Sequence, residues 1–178
     1  MSEPPVRIGV SACLLGARVR YDGRHKRDGF LADELGQYVE WVSVCPEVEL
    51  GMGIPREPVR LVRGPRGGSL MIGDPSGEDW TARMNAFAER RVEELLALEL
   101  SGYVLKSRSP SCGMAGVSLY ADADAPPTLE GVGLFAAALL RRLPDLPVEE
   151  EGRLGDARLR ESFLARVFDY HRLRCDRA

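Results

Sequence analysis

GYVLKSRSPSCGM, residues 102–114, joins a four-residue apolar run to a loop of Ser, Pro and Gly that carries a thiol. The run is short and continuous, as in a strand buried on both faces, and Pro110 and Gly113 prevent it from going on. A cysteine that served packing alone would sit inside the run. Cys112 instead follows it, among small residues that leave backbone N–H groups free. The same layout occurs twice upstream. Residues 6–13 (VRIGVSAC) form an apolar run that ends at Cys13, and residues 41–45 (WVSVC) form a second that ends at Cys45 and is stopped by Pro46.

Helical spacing separates these runs. Phe30, Leu31, Leu35 and Tyr38 suggest a short helix over 30–38. Trp80, Met84, Phe87, Ala88, Val92, Leu95 and Leu96 recur at three and four residues, the strongest amphipathic pattern in the chain. Residues 133–143 read as a helix stopped by Pro144, residues 147–148 as a short strand, and 158–173 as a last helix built on Leu159, Phe163, Val167 and Phe168. Residues 50–68, rich in Gly, Pro and Arg, read as loop with at most a short edge strand. Residues 69–72 read as a small strand, 116–120 as a fourth strand, and 122–128 as a turn-rich connection. Strands alternating with helices predict an α/β fold with a mostly parallel sheet covered on both faces. In such sheets ligands bind beyond the carboxyl ends of the strands, where Cys13, Cys45 and Cys112 all fall.

The 178 residues, with 44% apolar and 29% charged side chains, suit one ordinary globular domain over 1–178. No apolar run approaches 18 residues and the N-terminus lacks the blocks of a signal peptide, so a cytoplasmic location is expected. In a reducing compartment, four cysteines read as reactive thiols, metal ligands or core residues before disulfides. The net charge of −3 excludes a generally nucleic-acid-binding surface, but Arg18, Arg20, Arg24, Lys26 and Arg27 crowd one loop, and Arg56, Arg60, Arg63 and Arg66 follow the second cysteine. These cations are either a solvated surface or a cradle for an anionic ligand.

Any one cysteine is more often a small buried hydrophobe than a ligand. Three at one topological level call for a shared role; Cys175, near the C-terminus, stands outside the pattern. There is no C-x-x-C pair, and separations of 32 and 67 residues describe a site that only the fold can assemble. Three thiolates suit a zinc ion with an open position, or a four-iron, four-sulfur cluster ligated on three irons. Spacing leaves both open.

Three segments in this order, VSACLLGARVRYDG (10–23), VCPEVELGMGIPR (44–56) and LKSRSPSCGM (105–114), resemble the signature segments of the thiouracil desulfidase family. The resemblance runs over residues 6–121. Downstream, EGVGLFA (130–136) and LPVEEEGRLGDARLRESF (146–163) are similar to the branch that removes sulfur from 4-thiouridine in tRNA, within a C-terminal helical extension of about 131–178. The resemblance implies a Rossmann-like three-layer sandwich and a [4Fe-4S] cluster held by Cys13, Cys45 and Cys112. Glu47 of the CPE segment and Ser109 of the RSP segment stand where similar enzymes move protons.

The implied reaction is a non-redox hydrolysis of a C=S bond in a thiolated uracil, as free base, nucleotide or tRNA residue, with sulfur taken by the open iron. Glu47 would activate water and Ser109 donate or relay a proton. Amides around Ser111 to Gly113 would bond to cluster sulfides or developing charge. Asp22, Lys106, Ser111 and Arg56 are candidates for substrate contacts, Arg56 and Arg60 for a phosphate. Each has a plainer alternative: a surface carboxylate for Glu47, a turn cap for Ser109, a turn for Asp22, solvent for Lys106. His25 reads as solvated, and His171 as part of the last helix. Two other classes of function remain open to the residues, a zinc hydrolase and a non-catalytic domain that carries a cluster.

Overall fold

The computed structural model describes residues 4–122 and 125–176. Along them run β1 (Arg7–Ser11), β2 (Glu40–Val44), α1 (Pro46–Glu49), β3 (Val59–Arg63), β4 (Ser69–Gly73), α2 (Thr81–Ala97), β5 (Gly102–Leu105), β6 (Val117–Tyr120), β7 (Thr128–Gly131), α3 (Leu134–Arg142), β8 (Val148–Glu150) and α4 (Ala157–Cys175). Residues 123 and 124, within the turn-rich stretch expected over 122–128, lie outside the described residues.

A parallel sheet of order β2-β1-β5-β8 is the centre of the fold. Side chains alternate across it, as the pleat requires. Ile8, Val10 and Val104 point to one face, where they pack with Leu31, Leu35 and, from α4, Phe163 and Val167. Val44, Tyr103, Leu105 and Val148 point to the other and join α2 and α3 through Phe87, Val92, Leu95, Phe135 and Leu139. Helices thus cover both faces, giving the three layers expected. The stretch 131–178 is more than a helical extension, because β8 pairs with β5 and completes this sheet.

A second sheet accompanies the expected parallel one. β4-β3-β6-β7 forms a mixed sheet in which β3 pairs antiparallel with β4 and parallel with β6, and β6 antiparallel with β7. Segment 116–120 therefore belongs here and not to the main sheet, and β3 lies inside the stretch read as loop with at most a short edge strand, where it is paired on both sides instead of lying at an edge. The physical reason is period-two burial: Val59, Leu61, Met71, Val117 and Leu119 are buried in the core shared with α2, while Arg60 and Val62 alternate to the other face and Arg63 is exposed at the strand end. Gly, Pro and Arg around β3 hide that alternation. β7, with three exposed residues in four, carried no apolar signal at all.

Two local readings also change. Pro46 does not merely stop β2; it occupies the first turn of α1, where its missing N–H costs nothing. Residues 30–38 form a wide turn over Phe30–Glu34 followed by a tight one over Leu35–Gln37, not a regular helix. No helix of the described residues is long and apolar enough to cross a membrane.

Candidate active site

The carboxyl ends of β1, β2 and β5 open on one cavity of about 350 Å³, within the range of small-molecule sites. Cys13, Cys45 and Cys112 all line it. Each is delivered just past its strand. Cys13 sits in a tight turn over Ala12–Leu15, Cys45 immediately before α1, and Cys112 in the loop after β5. The strand ends are tied together, since the Lys106 N–H donates to Ser11 Oγ at 2.9 Å across the β1–β5 pair.

The thiols lie close enough to share an electrostatic environment: Cys13 senses Cys45, and Cys112 senses both. Burial pushes Cys13 up to about 11, opposed chiefly by the Lys106 ammonium. Burial also raises Cys112, more strongly, against a hydrogen bond from the Ser11 hydroxyl. Cys45 is raised by burial too, but the Val48 and Glu47 amides of α1 favour its thiolate. All four cysteines are free thiols. A cluster would convert the three neutral thiols of the cavity to thiolates.

No group of three or more His, Cys, Asp or Glu side chains among the described residues is arranged to hold a metal ion. Three thiols around one cavity do fit a cluster, whose ligands bind different irons and so stand farther apart than the ligands of a single ion.

Glu47 is fixed from two sides. Arg56 donates to its Oε2 through Nε at 2.9 Å and Nη2 at 2.6 Å, and the buried Ser111 hydroxyl donates to its Oε1. Arg56 also donates to the Val19 and Gly53 carbonyls, both at 3.0 Å. Its donors are thus directed to protein groups, and it holds Glu47 in place. Ser109 Oγ accepts the N–H groups of Ser111 at 3.2 Å and Cys112 at 3.1 Å, fixing the cysteine loop. Lys106 lines the cavity but its Nζ contacts Glu151 and Ser107. Burial alone would raise the Glu151 carboxyl, but hydrogen bonds from Lys106 and Ser107 hold it below the ordinary carboxylate range.

Asp22 is not brought to the cavity wall. It closes a turn with Arg24, through the Arg24 N–H at 3.0 Å and Nε at 2.8 Å, and faces Arg20 at 3.6 Å. Arg60 lies away from the site, over the Tyr120 ring. His25 accepts the Arg27 N–H through Nδ1 at 3.2 Å. Cys175 is remote, beside His171 in α4, with Sγ 3.7 Å from Nε2.

Two cations of the basic loop, Arg20 and Lys26, and one that the sequence reading passed over, Arg108, complete the wall. Arg20, Lys26 and Arg108 line it with Lys106 and Arg56, against Glu47 as the one acidic lining residue. Among the described residues, the side chains of Lys26 and Arg108 have no ion-pair or hydrogen-bond partner. Glu151 and Glu150 come from the end of β8. Glu150 Oε1 accepts the Met114 N–H at 2.8 Å, just past Cys112. These two glutamates went unread in the sequence, and their signal was the acidic run 149–151 that ends the strand beside β5, at the end of the sheet where the thiols collect.

Comparisons with known proteins give the chain its relatives. The model of the 2-thiouracil desulfurase family matches residues 8–151. A Bacillus subtilis protein, the uncharacterized YbbK, is 32% identical over 136 residues, 74% of this chain and 88% of its own. A solved [4Fe-4S]-dependent thiouracil desulfidase, TudS, superposes with a TM-score of 0.68 at 36% identity, covering 88% of this chain and 98% of its own. A family match across both the cysteine segments and β8, on a parallel sheet whose strand ends converge on three thiols, leads to one conclusion: the chain belongs to the 2-thiouracil desulfurase family.

Proposed function

We propose that the chain, as a single desulfidase domain, removes sulfur from thiolated uracil carried as base or nucleotide, using a [4Fe-4S] cluster on Cys13, Cys45 and Cys112. The observation that carries this reading is the meeting of three thiols and a clamped carboxylate in one cavity. TudS, similar over nearly its whole length, is [4Fe-4S]-dependent, which supports the same cofactor here. When bound, the cluster supplies an iron free of protein ligands, a Lewis acid for the thiocarbonyl sulfur.

The protein supplies orientation and proton transfer. A carboxylate offers about four acceptor sites, and Arg56 and Ser111 take three on Glu47. The remaining one takes the proton of a water attacking the C=S carbon. Ser109 accepts two amides, so its own proton is not committed to them. That proton is available to the departing sulfur, with Lys106 the nearby cation. The balance is one water consumed, a C=O formed and one equivalent of hydrogen sulfide released, with no change of oxidation state.

Arg20, Lys26 and Arg108 make the cavity positive and favour an anionic substrate, hence a nucleotide over a neutral base. Sulfide release by the reconstituted protein from 2-thiouracil, 4-thiouridine, its 5′-monophosphate and thiolated tRNA tests the reading. Turnover is expected with the thiolated pyrimidines, with the monophosphate having the higher kcat/KM. Loaded protein that releases sulfide from none of them contradicts it.

A further inference from the structure

The stretch RYDG, residues 20–23, closes the first signature segment, yet the proposed chemistry uses only the charge of Arg20. Its backbone is a well-tied turn. The Asp22 carboxylate accepts the Arg24 N–H at 3.0 Å, and the Gly23 N–H donates to the Arg20 carbonyl at 2.9 Å. Gly23 takes a φ of +73°, which a glycine adopts without strain. The turn presents Tyr21 to the cavity. Among the described residues that line it, Tyr21 is the one aromatic side chain, and it stays 40% exposed. Arg20 holds one face of the ring, with its guanidinium carbon 5.7 Å from the centroid. The rest of the wall is cations, hydroxyls, thiols, one carboxylate and small aliphatic side chains, none of which offers a flat π face.

The turn is also fixed relative to the base. The Arg56 N–H donates to the Tyr21 carbonyl at 2.9 Å, and Arg56 Nη2 donates to the Val19 carbonyl at 3.0 Å. The same guanidinium holds Glu47 through Nε and Nη2. One arginine therefore secures both the carboxylate and the main chain that carries the ring. A ligand lying against Tyr21 is held in a fixed relation to Glu47.

We propose that the free face of Tyr21 is the platform on which the pyrimidine ring of the substrate stacks, a contact that rests on the desulfidase reading above. It makes the site selective for flat, aromatic thiocarbonyl compounds over saturated ones. Stacking engages the face of a heterocycle and leaves its edges, and hence the C=S group and the ring N–H, for the reacting centre and for hydrogen bonds. Base–aromatic stacking is worth roughly 5- to 150-fold in affinity, and a puckered ring forfeits most of it. Tyr21 is a specificity-determining residue. Asp22 and Arg56 position it, which gives Asp22 a role although its own side chain is absent from the cavity wall.

Two substrates of the reconstituted full chain test this: 4-thiouridine, and 5,6-dihydro-4-thiouridine, which keeps the C=S group and ring N–H but loses the flat ring. Tyr21→Ala is expected to raise KM for 4-thiouridine roughly 5- to 150-fold, with a smaller effect on kcat. It should also narrow the kcat/KM ratio between the two substrates by a similar factor. Tyr21→Phe keeps the ring and is expected to keep most of the wild-type ratio. Calorimetric titration with uridine, the desulfurised product, should give the same order without turnover, with Tyr21→Ala the weakest binder. A Tyr21→Ala variant that matches wild type in substrate ratio and uridine affinity, at equal iron content, overturns the proposal and leaves the desulfidase reading intact. A Tyr21→Phe variant as impaired as Tyr21→Ala also overturns it, because the effect then belongs to the hydroxyl and not to the ring. Wild-type protein that releases sulfide from neither compound overturns the desulfidase reading, and this inference with it.

Discussion

At the residue scale, Glu47 acts through its supports. A carboxylate in a small-molecule cavity needs a fixed orientation to take a proton from water, and Arg56 and Ser111 provide it. Glu47→Gln keeps the shape and removes the base. Its kcat is expected to fall about 10²- to 10⁴-fold while iron content stays at the wild-type level; a variant with full turnover contradicts the assignment. Glu151 gives a different test, of stability. Its folded carboxyl is held below its unfolded range by Lys106 and Ser107 against the opposing effect of burial. The stabilisation is therefore complete above the unfolded value, near 4.3, and is lost as pH falls through the lower folded value. Glu151→Gln should cost about 1–3 kcal/mol at neutral pH, and denaturant titrations should show that difference shrinking below about pH 4.5. Which of these residues could be read in advance follows from chain distance. Glu47 and Ser109 lie within three residues of a site cysteine and were legible. Glu151 is 39 residues beyond Cys112 and reaches the site only through the pairing of β8 with β5.

At the scale of elements, the cysteine loop and α3 form one unit. The first amides of α3 and its cap are satisfied by loop carbonyls: Gly133 by Gly113 at 2.7 Å, Leu134 by Pro110 at 3.1 Å and Ala136 by Ser111 at 3.1 Å. Gly133 permits this approach, since an added Cβ would lie 2.5 Å from the Ser111 carbonyl carbon and 2.8 Å from the Cys112 nitrogen. Backbone cannot move aside as a side chain does. Gly133→Ala is expected to destabilise the fold by about 1–3 kcal/mol and to reduce iron retained after gel filtration, whereas unaltered retention would show the loop to be independent of α3. The sequence predicted both elements, through the apolar period of α3 and the Pro and Gly of the loop. It did not predict their contact. The second sheet was hidden for a related reason: the two arginines of the short run Val59–Arg63 break up its apolar pattern, and the strand acquires meaning only beside β6, 54 or more residues away.

At the scale of the whole molecule, a protein of net charge −3 presents a positive cavity. The acidic excess lies elsewhere, and surface pairs such as Glu89–Arg141 and Glu93–Arg142 are neutral overall and add little to stability. The parallel sheet does the assembling. Cysteines 32 and 67 residues apart along the chain meet because β1, β2 and β5 run side by side in one direction and end at one level. The fourth cysteine is an internal control, since Cys175 lies in α4 outside the cavity. Iron and acid-labile sulfide counted in anaerobically reconstituted wild type and in the four single Cys→Ala variants test the account most directly. The account predicts about four of each in wild type and Cys175→Ala, and a lost or degraded cluster in the Cys13, Cys45 and Cys112 variants. A full cluster in any of those three variants, or a wild-type protein that binds no iron, would contradict it.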